Sequence, residues 1–539
     1  MVQEGEVKGK ELPAAPEPEV LFKVKTIVDI PPLPQVQDKQ SFDFRYPLIE
    51  PYAYAHIFWD KKNNELVYIV EEPELDENEK RLLRLIERGI EELINMSFIN
   101  VKSTTKIIEY LEKNIKVLLA EMGVRITEEM FLKMMYFVYR DFVGLNRIEP
   151  LLKDYFIEDI ECNGVDTPIY IVHRKYRNLR TNISYKDPAE LTSFVEKLAQ
   201  KCGKYVSYAS PILDGRLPDN SRVNATYSSD ISSRGPTFTI RKFVSEPWSP
   251  VKLMQLKTLS PEMLAYLWLL IEYESNFIII GGTGAGKTSL LNSLAFFIPP
   301  AARIVSIEDT HELSLTHENW LPSVVREATG VGGEEKFGEV DLFMLLRESF
   351  RQRPDYVIVG EIRGQEAAVL FQGAASGHPT ACTMHAENVE TMIRRLETPP
   401  ISLSPSLIET IDVVCVISQV RVQGENVRRV RSVIEVISIG DKLSELVTNT
   451  PFIWDPASDN FYFKTQSKLF EKLEKTYGVT MSFLMREFRV RTRMLMEMYR
   501  RNIVDYKEVQ DIINLYYKDP ERVLKMFNGV NVEPKQLVQ

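Results

Sequence analysis

Residues 74–97, ELDENEKRLLRLIERGIEELINMS, space Leu82, Leu85, Ile86, Ile90, Leu93 and Ile94 three and four apart. That is the period of one buried helix face, and the Asp- and Glu-rich start suits a helix N-terminus. Two further helices are predicted near 103–121 and 127–143, so 41–145 reads as a mainly helical bundle. Ahead of them, 53–73 reads as two strands around the turn KKNN. Residues 1–40 are rich in Pro, Glu, Lys and Val and carry no period, which predicts a mobile arm.

Past GLNRIEPLLKD the texture changes. IEDIECNG (157–164), IYIVHRKY (169–176) and RTNISY (180–185) read as short strands. Residues 187–203 form an amphipathic helix opening after a proline, and RVNATYS and TFTIRKF read as further strands. This predicts an α/β domain over 146–244, followed by a linker over 245–260 with Pro, Trp and little period. From 261 the order is helix, buried strand, glycine turn, helix, strand, which signals a parallel sheet with crossover helices. Residues 412–439 read as two strands joined at QGEN, and 464–527 as charged helices. The third domain is thus 261–539.

Composition narrows the classes. At 539 residues, roughly 100–200 per domain gives about three units. A net charge of −10 argues against a general DNA-wrapping surface. The four cysteines, Cys162, Cys202, Cys382 and Cys415, form no C-x-x-C pair, so they read as reduced buried thiols, with neither zinc nor disulfide framework. The start lacks the apolar core of a signal peptide. The most apolar long window, 262–282, is broken by Glu272, Glu274, Ser275 and Asn276, so no membrane-spanning run is expected.

Chemistry concentrates after residue 280. GGTGAGKT, from Gly281 to Thr288, fits G-x-x-x-x-G-K-[ST] between a predicted strand and helix. Gly281, Gly282, Thr283, Gly284, Ala285 and Gly286 would turn backbone N–H groups around phosphate, with Ser289 completing the loop. Lys287 would reach the β- and γ-phosphates and the Thr288 hydroxyl would ligate Mg²⁺. Next, RIVSIEDTHEL ends in Glu308, Asp309 and Glu312, either a solvated acidic turn or a cluster around a cation or polarised water. RPDYVIVGEIRG ends a buried strand at Glu361, an acid placed to hold Mg²⁺ through water. Arg363 could pair with that acid or with phosphate. GAASGHPTACTMHAEN carries His378 and His385, read as γ-phosphate sensors in preference to a zinc pair, since no third ligand is evident.

This order of motifs resembles the secretion ATPase superfamily that powers type II and type IV secretion, type IV pili and the archaellum. The resemblance covers about 150–440 and implies a RecA-like core, a PAS-like N-terminal α/β domain, and assembly as a ring of six. It implies ATP and Mg²⁺ as ligands, Glu312 as general base, Glu361 as Mg²⁺ support and His385 near the γ-phosphate. Arginines from the N-terminal side or from the neighbouring subunit would reach the nucleotide, with Arg222 and Arg241 the first candidates and Arg216 the third. The absence of a tetra-cysteine insertion, the EDTHE form of the acidic motif, ENWLPSVVRE (318–327) and the long helical ends resemble the archaeal branch, the archaellum motor first and a pilus or secretion ATPase second. That implies a peripheral protein at the inner face of the cell membrane, working on a polytopic platform protein with accessory regulators. A nucleic-acid motor and a non-hydrolysing ATP-binding scaffold are the rival classes.

Overall fold

The computed structural model describes residues 21–24, 33–34, 40–97, 104–243, 246–326, 338–438 and 446–527, except the side chains of 93–97 and 104–105. The chain divides into two units, Met1–Phe243 and Val244–Gln539.

Nine strands form one sheet in the first unit: β1 (Asp43–Ile49), β2 (Ala53–Asp60), β3 (Glu65–Glu71), β4 (Ile157–Cys162), β5 (Pro168–His173), β6 (Arg177–Ser184), β7 (Ile212–Arg216), β8 (Arg222–Thr226) and β9 (Thr237–Arg241). Their spatial order is β1-β2-β3-β6-β5-β4-β9-β8-β7. Helices α1 (Glu77–Ser97), α2 (Thr104–Glu121), α3 (Glu128–Val138), α4 (Glu149–Lys153) and α5 (Pro188–Lys201) complete the unit. The expected bundle (41–145) and α/β domain (146–244) therefore share a single sheet, joined where β3 runs parallel to β6, and a single core. Two strands of this unit went unread in the sequence, β1 and β7, and both are edges. Pro47 and a charged start hide β1, and Gly215 with two charged neighbours hides β7. Edge strands tolerate both because one side lacks a ladder to satisfy.

The arm expected to be mobile is docked at its described positions. Phe22 is 1% exposed, set against Tyr52 and Tyr139, and its amide donates to the Glu112 carboxylate at 3.2 Å. Further on, Lys175 Nζ donates to the Leu33 carbonyl at 2.9 Å. Residues 1–20, 25–32 and 35–39 of that expectation lie outside the described residues.

The second unit opens with α6 (Pro250–Gln255) and α7 (Pro261–Glu272). Its sheet holds β10 (Phe277–Gly281), β11 (Ile304–Glu308), β12 (Trp320–Val324), β13 (Tyr356–Ile362), β14 (Thr380–His385), β15 (Val413–Val422), β16 (Glu425–Ser438), β17 (Val447–Asp455) and β18 (Asn460–Phe463). The order is β12-β11-β13-β14-β10-β15-β16-β17-β18, parallel from β12 through β15 and antiparallel beyond. The crossover helices are α8 (Lys287–Ala295), α9 (Leu342–Ser349), α10 (Glu366–Ala375), α11 (Val389–Glu397) and α12 (Pro405–Ile408). Strand β10, FIIIG, is buried along its length, as central parallel strands are. Its residues alternate between two cores: Ile279 joins the one built with α7 and α8, Ile278 and Ile280 the one built with α10 and α11.

The first of those cores also takes the C-terminal helices α13 (Lys468–Tyr477), α14 (Met481–Arg500), α15 (Tyr506–Lys518) and α16 (Pro520–Met526). Nine consecutive residues of α7, Met263–Ile271, are buried, which is why that helix is apolar all round. Among the described residues no helix is long and apolar enough to cross a membrane.

The segment expected as a linker, 245–260, is corrected over its described part. Val251, Leu253 and Met254 are buried in the core, and Ser249 Oγ donates to the Val504 carbonyl at 2.7 Å. A six-residue helix is too short to show a period in sequence, so α6 was invisible there.

Candidate functional site

The site lies at the C-terminal ends of the parallel strands, where open α/β sheets bind ligands. Chain reversal after β10 uses Gly284 at φ 69° and Gly286 at φ 94°, conformations that side chains resist. Gly286 is the N-cap of α8, so loop amides and the helix N-terminus converge there, an anion cradle. Gly281 also has no room for a side chain: a Cβ would sit 2.3 Å from the Ile417 carbonyl oxygen. Thr283 and Gly284 are exposed at the tip, Ala285 is buried beneath it, and Gly282, Thr288 and Ser289 line the approach to the helix.

Lys287 Nζ is held inward, donating to the Gly282 carbonyl at 3.2 Å and lying 3.9 Å from Glu361 Oε1. Burial lowers its pKa, the Glu361 carboxylate raises it, Arg363 lowers it and Glu312 raises it. The net direction is down, with burial the largest cause. Strand β14 separates β10 from β13, so Glu361 faces the loop across one intervening strand. Its other oxygen is bound by the Arg363 guanidinium, with Nε at 3.1 Å. Arg363 Nη1 also lies 3.9 Å from Asp309. The tip of the intervening strand is His385, the direct partner of Gly281.

Glu308 and Glu312 have separate places. Glu308 is 1% exposed and its Oε1 accepts the amides of Glu312 and Leu313, each at 2.9 Å. Its Oε2 is 3.2 Å from His311 Nδ1, and the His311 ring lies parallel to Trp320. Glu308 is therefore spent on the backbone, while Glu312 is exposed beside the loop. Gly360 permits this, since a Cβ there would be 3.1 Å from Glu308 Cγ.

His378 is not brought to the site. It precedes β14 and packs on Phe350, at the opposite end of that strand from His385, roughly 20 Å away at about 3.3 Å per residue. The expectation that both histidines meet at one phosphate is thus corrected for His378, and only His385 lies beside the loop. Arg216, Arg222 and Arg241 lie in the first unit, in register across β7, β8 and β9, so they form one row on one face. Arg222 is paired with Asp214 at 2.8 Å and Arg241 lies 3.9 Å from Asp159.

Two arginines outside the motifs touch the site. Arg395 of α11 donates to the His385 carbonyl, and Arg428 of β16 donates to the Gly284 carbonyl at 3.1 Å. Their distance in sequence from the loop hid them. The available signal for Arg428 was its place just after the QGEN turn in a stretch that reads as a strand. Among the described residues no group of three His, Cys, Asp or Glu is placed to hold a metal by itself. The Thr288 hydroxyl and Glu361 carboxylate beside the cradle do fit a cation delivered with a phosphate ligand, which needs few protein donors.

Strand, left-handed glycine loop, helix N-terminus, inward lysine and an acid one strand away have the arrangement of a phosphate-loop cradle. A profile of the family described as "Type II/IV secretion system protein" matches residues 143–451, and the chain belongs to that family of secretion ATPases. An uncharacterized protein of Methanocaldococcus jannaschii is 36% identical over 497 residues, covering 88% of this chain and 88% of that protein. The conjugal transfer protein TrbB of Rhizobium radiobacter is 32% identical over 232 residues, covering 42% of this chain and 68% of that protein. Among solved structures, the ATPase DotB of Legionella pneumophila has a TM-score of 0.38 at 20% identity, over 54% of this chain and 79% of that one.

Proposed function

We propose that this chain hydrolyses ATP with Mg²⁺, using a RecA-like core, and that a homohexameric ring of it drives archaellum assembly or rotation from the inner face of the cell membrane. The observation that supports the chemistry best is the inward Lys287 ammonium, 3.9 Å from the Glu361 carboxylate at the left-handed glycine turn. Residues Gly281 to Ser289 hold the phosphates, with Lys287 on the β- and γ-positions. Thr288 and, through water, Glu361 hold Mg²⁺, which when bound neutralises phosphate charge and orients the terminal phosphoryl group. Glu312 takes the proton of the attacking water, and Glu308 fixes the turn that presents it. His385, at the strand tip beside Gly281, contacts the terminal phosphate. Asp309 and Arg363 hold Glu361 in place, and Arg222 and Arg241, ranked ahead of Arg216, are the candidates to supply further positive charge, from the same chain or a neighbouring copy.

Loss of the terminal phosphate releases these contacts, and the resulting domain motion is passed to a polytopic platform protein with its cytoplasmic regulators. A second reading, a pilus-assembly or secretion motor, is favoured by the likeness to a conjugal transfer protein across 68% of that protein's length. Glu312→Gln separates hydrolysis from mere binding. It should lower kcat at least a hundredfold while Mg-ATP still binds, and unchanged turnover would remove Glu312 as the base. Native complexes isolated from membranes decide the branch: co-purifying archaellins support the first reading, pilins the second.

A further inference from the structure

Three glycines of the phosphate loop face the β15–β16 hairpin. A Cβ on Gly281 would meet the Ile417 carbonyl oxygen, one on Gly286 would lie 3.0 Å from Arg428 Cδ, and one on Gly284 would lie 4.0 Å from Gln419 Oε1. Gln419 and Arg428 are direct partners across the hairpin, two residues beyond the Ile417–Val430 pair. Directly paired residues share a face, so one continuous hairpin face forms the wall behind the loop.

A loop that aims its amides at phosphate must turn its carbonyls outward, and each then needs a donor. The Gly282 carbonyl is met by Lys287 Nζ at 3.2 Å and the Gly284 carbonyl by Arg428 Nε at 3.1 Å. The next residue, Arg429, serves the fold instead, buried and forked onto Asp459 at 2.8 and 3.0 Å. Strand alternation thus gives one arginine to the fold and its neighbour to the loop.

We propose that Arg428 is a positioning residue for the bound nucleotide. By holding the Gly284 carbonyl outward it keeps the loop amides converged, and its charge adds to the field at the cradle. It therefore governs nucleotide affinity more than the chemical step. The inference rests on the nucleotide-binding function proposed above, and it assigns the work to an arginine of the same unit as the loop.

The test uses the full chain, with Mg-ADP binding followed by calorimetry and ATP hydrolysis in the steady state. Loss of one charge-assisted hydrogen bond predicts that Arg428→Ala raises the Mg-ADP Kd and the KM for ATP about tenfold, while kcat falls less than twofold. Arg428→Lys, which keeps charge and one donor, should give an intermediate Kd. A Kd within twofold of wild type in Arg428→Ala, or a fallen kcat at unchanged Kd, overturns the proposal. Should Arg428→Ala fail to fold, Arg428→Lys decides: a threefold or larger rise in Kd supports the role and no rise overturns it. Lys287→Ala separates the two readings. If it loses Mg-ADP and Arg428→Ala does not, only the role of Arg428 falls; if the wild type itself binds no Mg-ADP, the proposed function falls with it.

Discussion

Glu308 offers the sharpest test of how the acidic motif divides its labour. Both backbone amides it receives, from Glu312 and Leu313, end on the same oxygen, Oε1, at 2.9 Å each. Its second oxygen faces His311 Nδ1 at 3.2 Å. A glutamine at 308 can place its carbonyl oxygen where Oε1 now lies and keep both amides. Its Nε2 then donates to His311 Nδ1 in the tautomer that leaves Nδ1 free. What is lost is the charge assistance, about 1 kcal/mol for the pair. Glu308→Ala removes the acceptor altogether and leaves two sheltered donors unmet, at about 1–3 kcal/mol each, so about 2–6 kcal/mol in all. At about 2–4 °C per kcal/mol for a unit of this size, melting should fall by roughly 5–20 °C.

Activity should separate the variants further. Without its anchor the 309–313 turn relaxes, and a displacement of about 1 Å at Glu312 costs on the order of a hundredfold in rate. Glu308→Gln should therefore keep at least a tenth of wild-type kcat, and Glu308→Ala no more than a hundredth of it. Steady-state ATP hydrolysis at saturating Mg-ATP, with melting curves for both variants, measures the two effects. If Glu308→Gln folds normally yet loses a hundredfold or more, Glu308 serves the chemistry through its charge and the positioning argument is refuted.

Gly281→Ala places a Cβ 2.3 Å from a backbone oxygen that cannot rotate away; it should cost about 2–3 kcal/mol in stability and weaken Mg-ADP binding at least tenfold, and an unshifted melting temperature would contradict the close approach of Ile417. His173 is fully buried in the first unit, and burial pushes its pKa down to about 4. Its unfolded pKa is near 6.5, so the unfolded chain binds the proton first as pH falls; stability is full above about 6.5 and declines by about 3 kcal/mol towards pH 4. His173→Asn should flatten that part of the acid-unfolding profile, and an unchanged slope would show that other groups set it.

Much of the second unit was legible because its strands are central. FIIIG and YVIVGEI are buried runs ending in chemistry, and the motifs mark their ends. Missing from the sequence were features that depend on pairing between distant segments. The edge strand β7 carries too few apolar residues to alternate visibly, Pro47 and a charged start mask the alternation of Phe44, Tyr46 and Leu48 in β1, and α6 is shorter than two helical turns. The two histidines of GAASGHPTACTMHAEN look like neighbours in sequence, yet the length of β14 carries them to opposite ends of the strand. Arg428 could be connected to Gly284 only once β15 and β16 were known to pair beside β10.

The strand order also explains why the acidic motif needs two glutamates. At about 4.8 Å between neighbours, β13 ends two steps and β11 three steps from the loop strand β10, roughly 10 and 14 Å away. Glu361 covers its shorter gap with one side chain, which reaches to 3.9 Å from Lys287. An acid at the end of β11 cannot cover the longer gap from the strand itself. The chain must first turn back towards the loop, and a turn at a strand end leaves amides without ladder partners. Glu308, the last residue of β11, supplies the acceptor for two of them and is buried in doing so. Glu312, whose amide Glu308 holds, is the acid proposed above as the base. On this geometry the two residues are not redundant carboxylates. Shortening the anchor by about one methylene, roughly 1.5 Å, through Glu308→Asp should impair turnover through Glu312 while leaving Mg-ADP affinity within twofold; an unimpaired kcat would show that the turn holds its shape without that anchor.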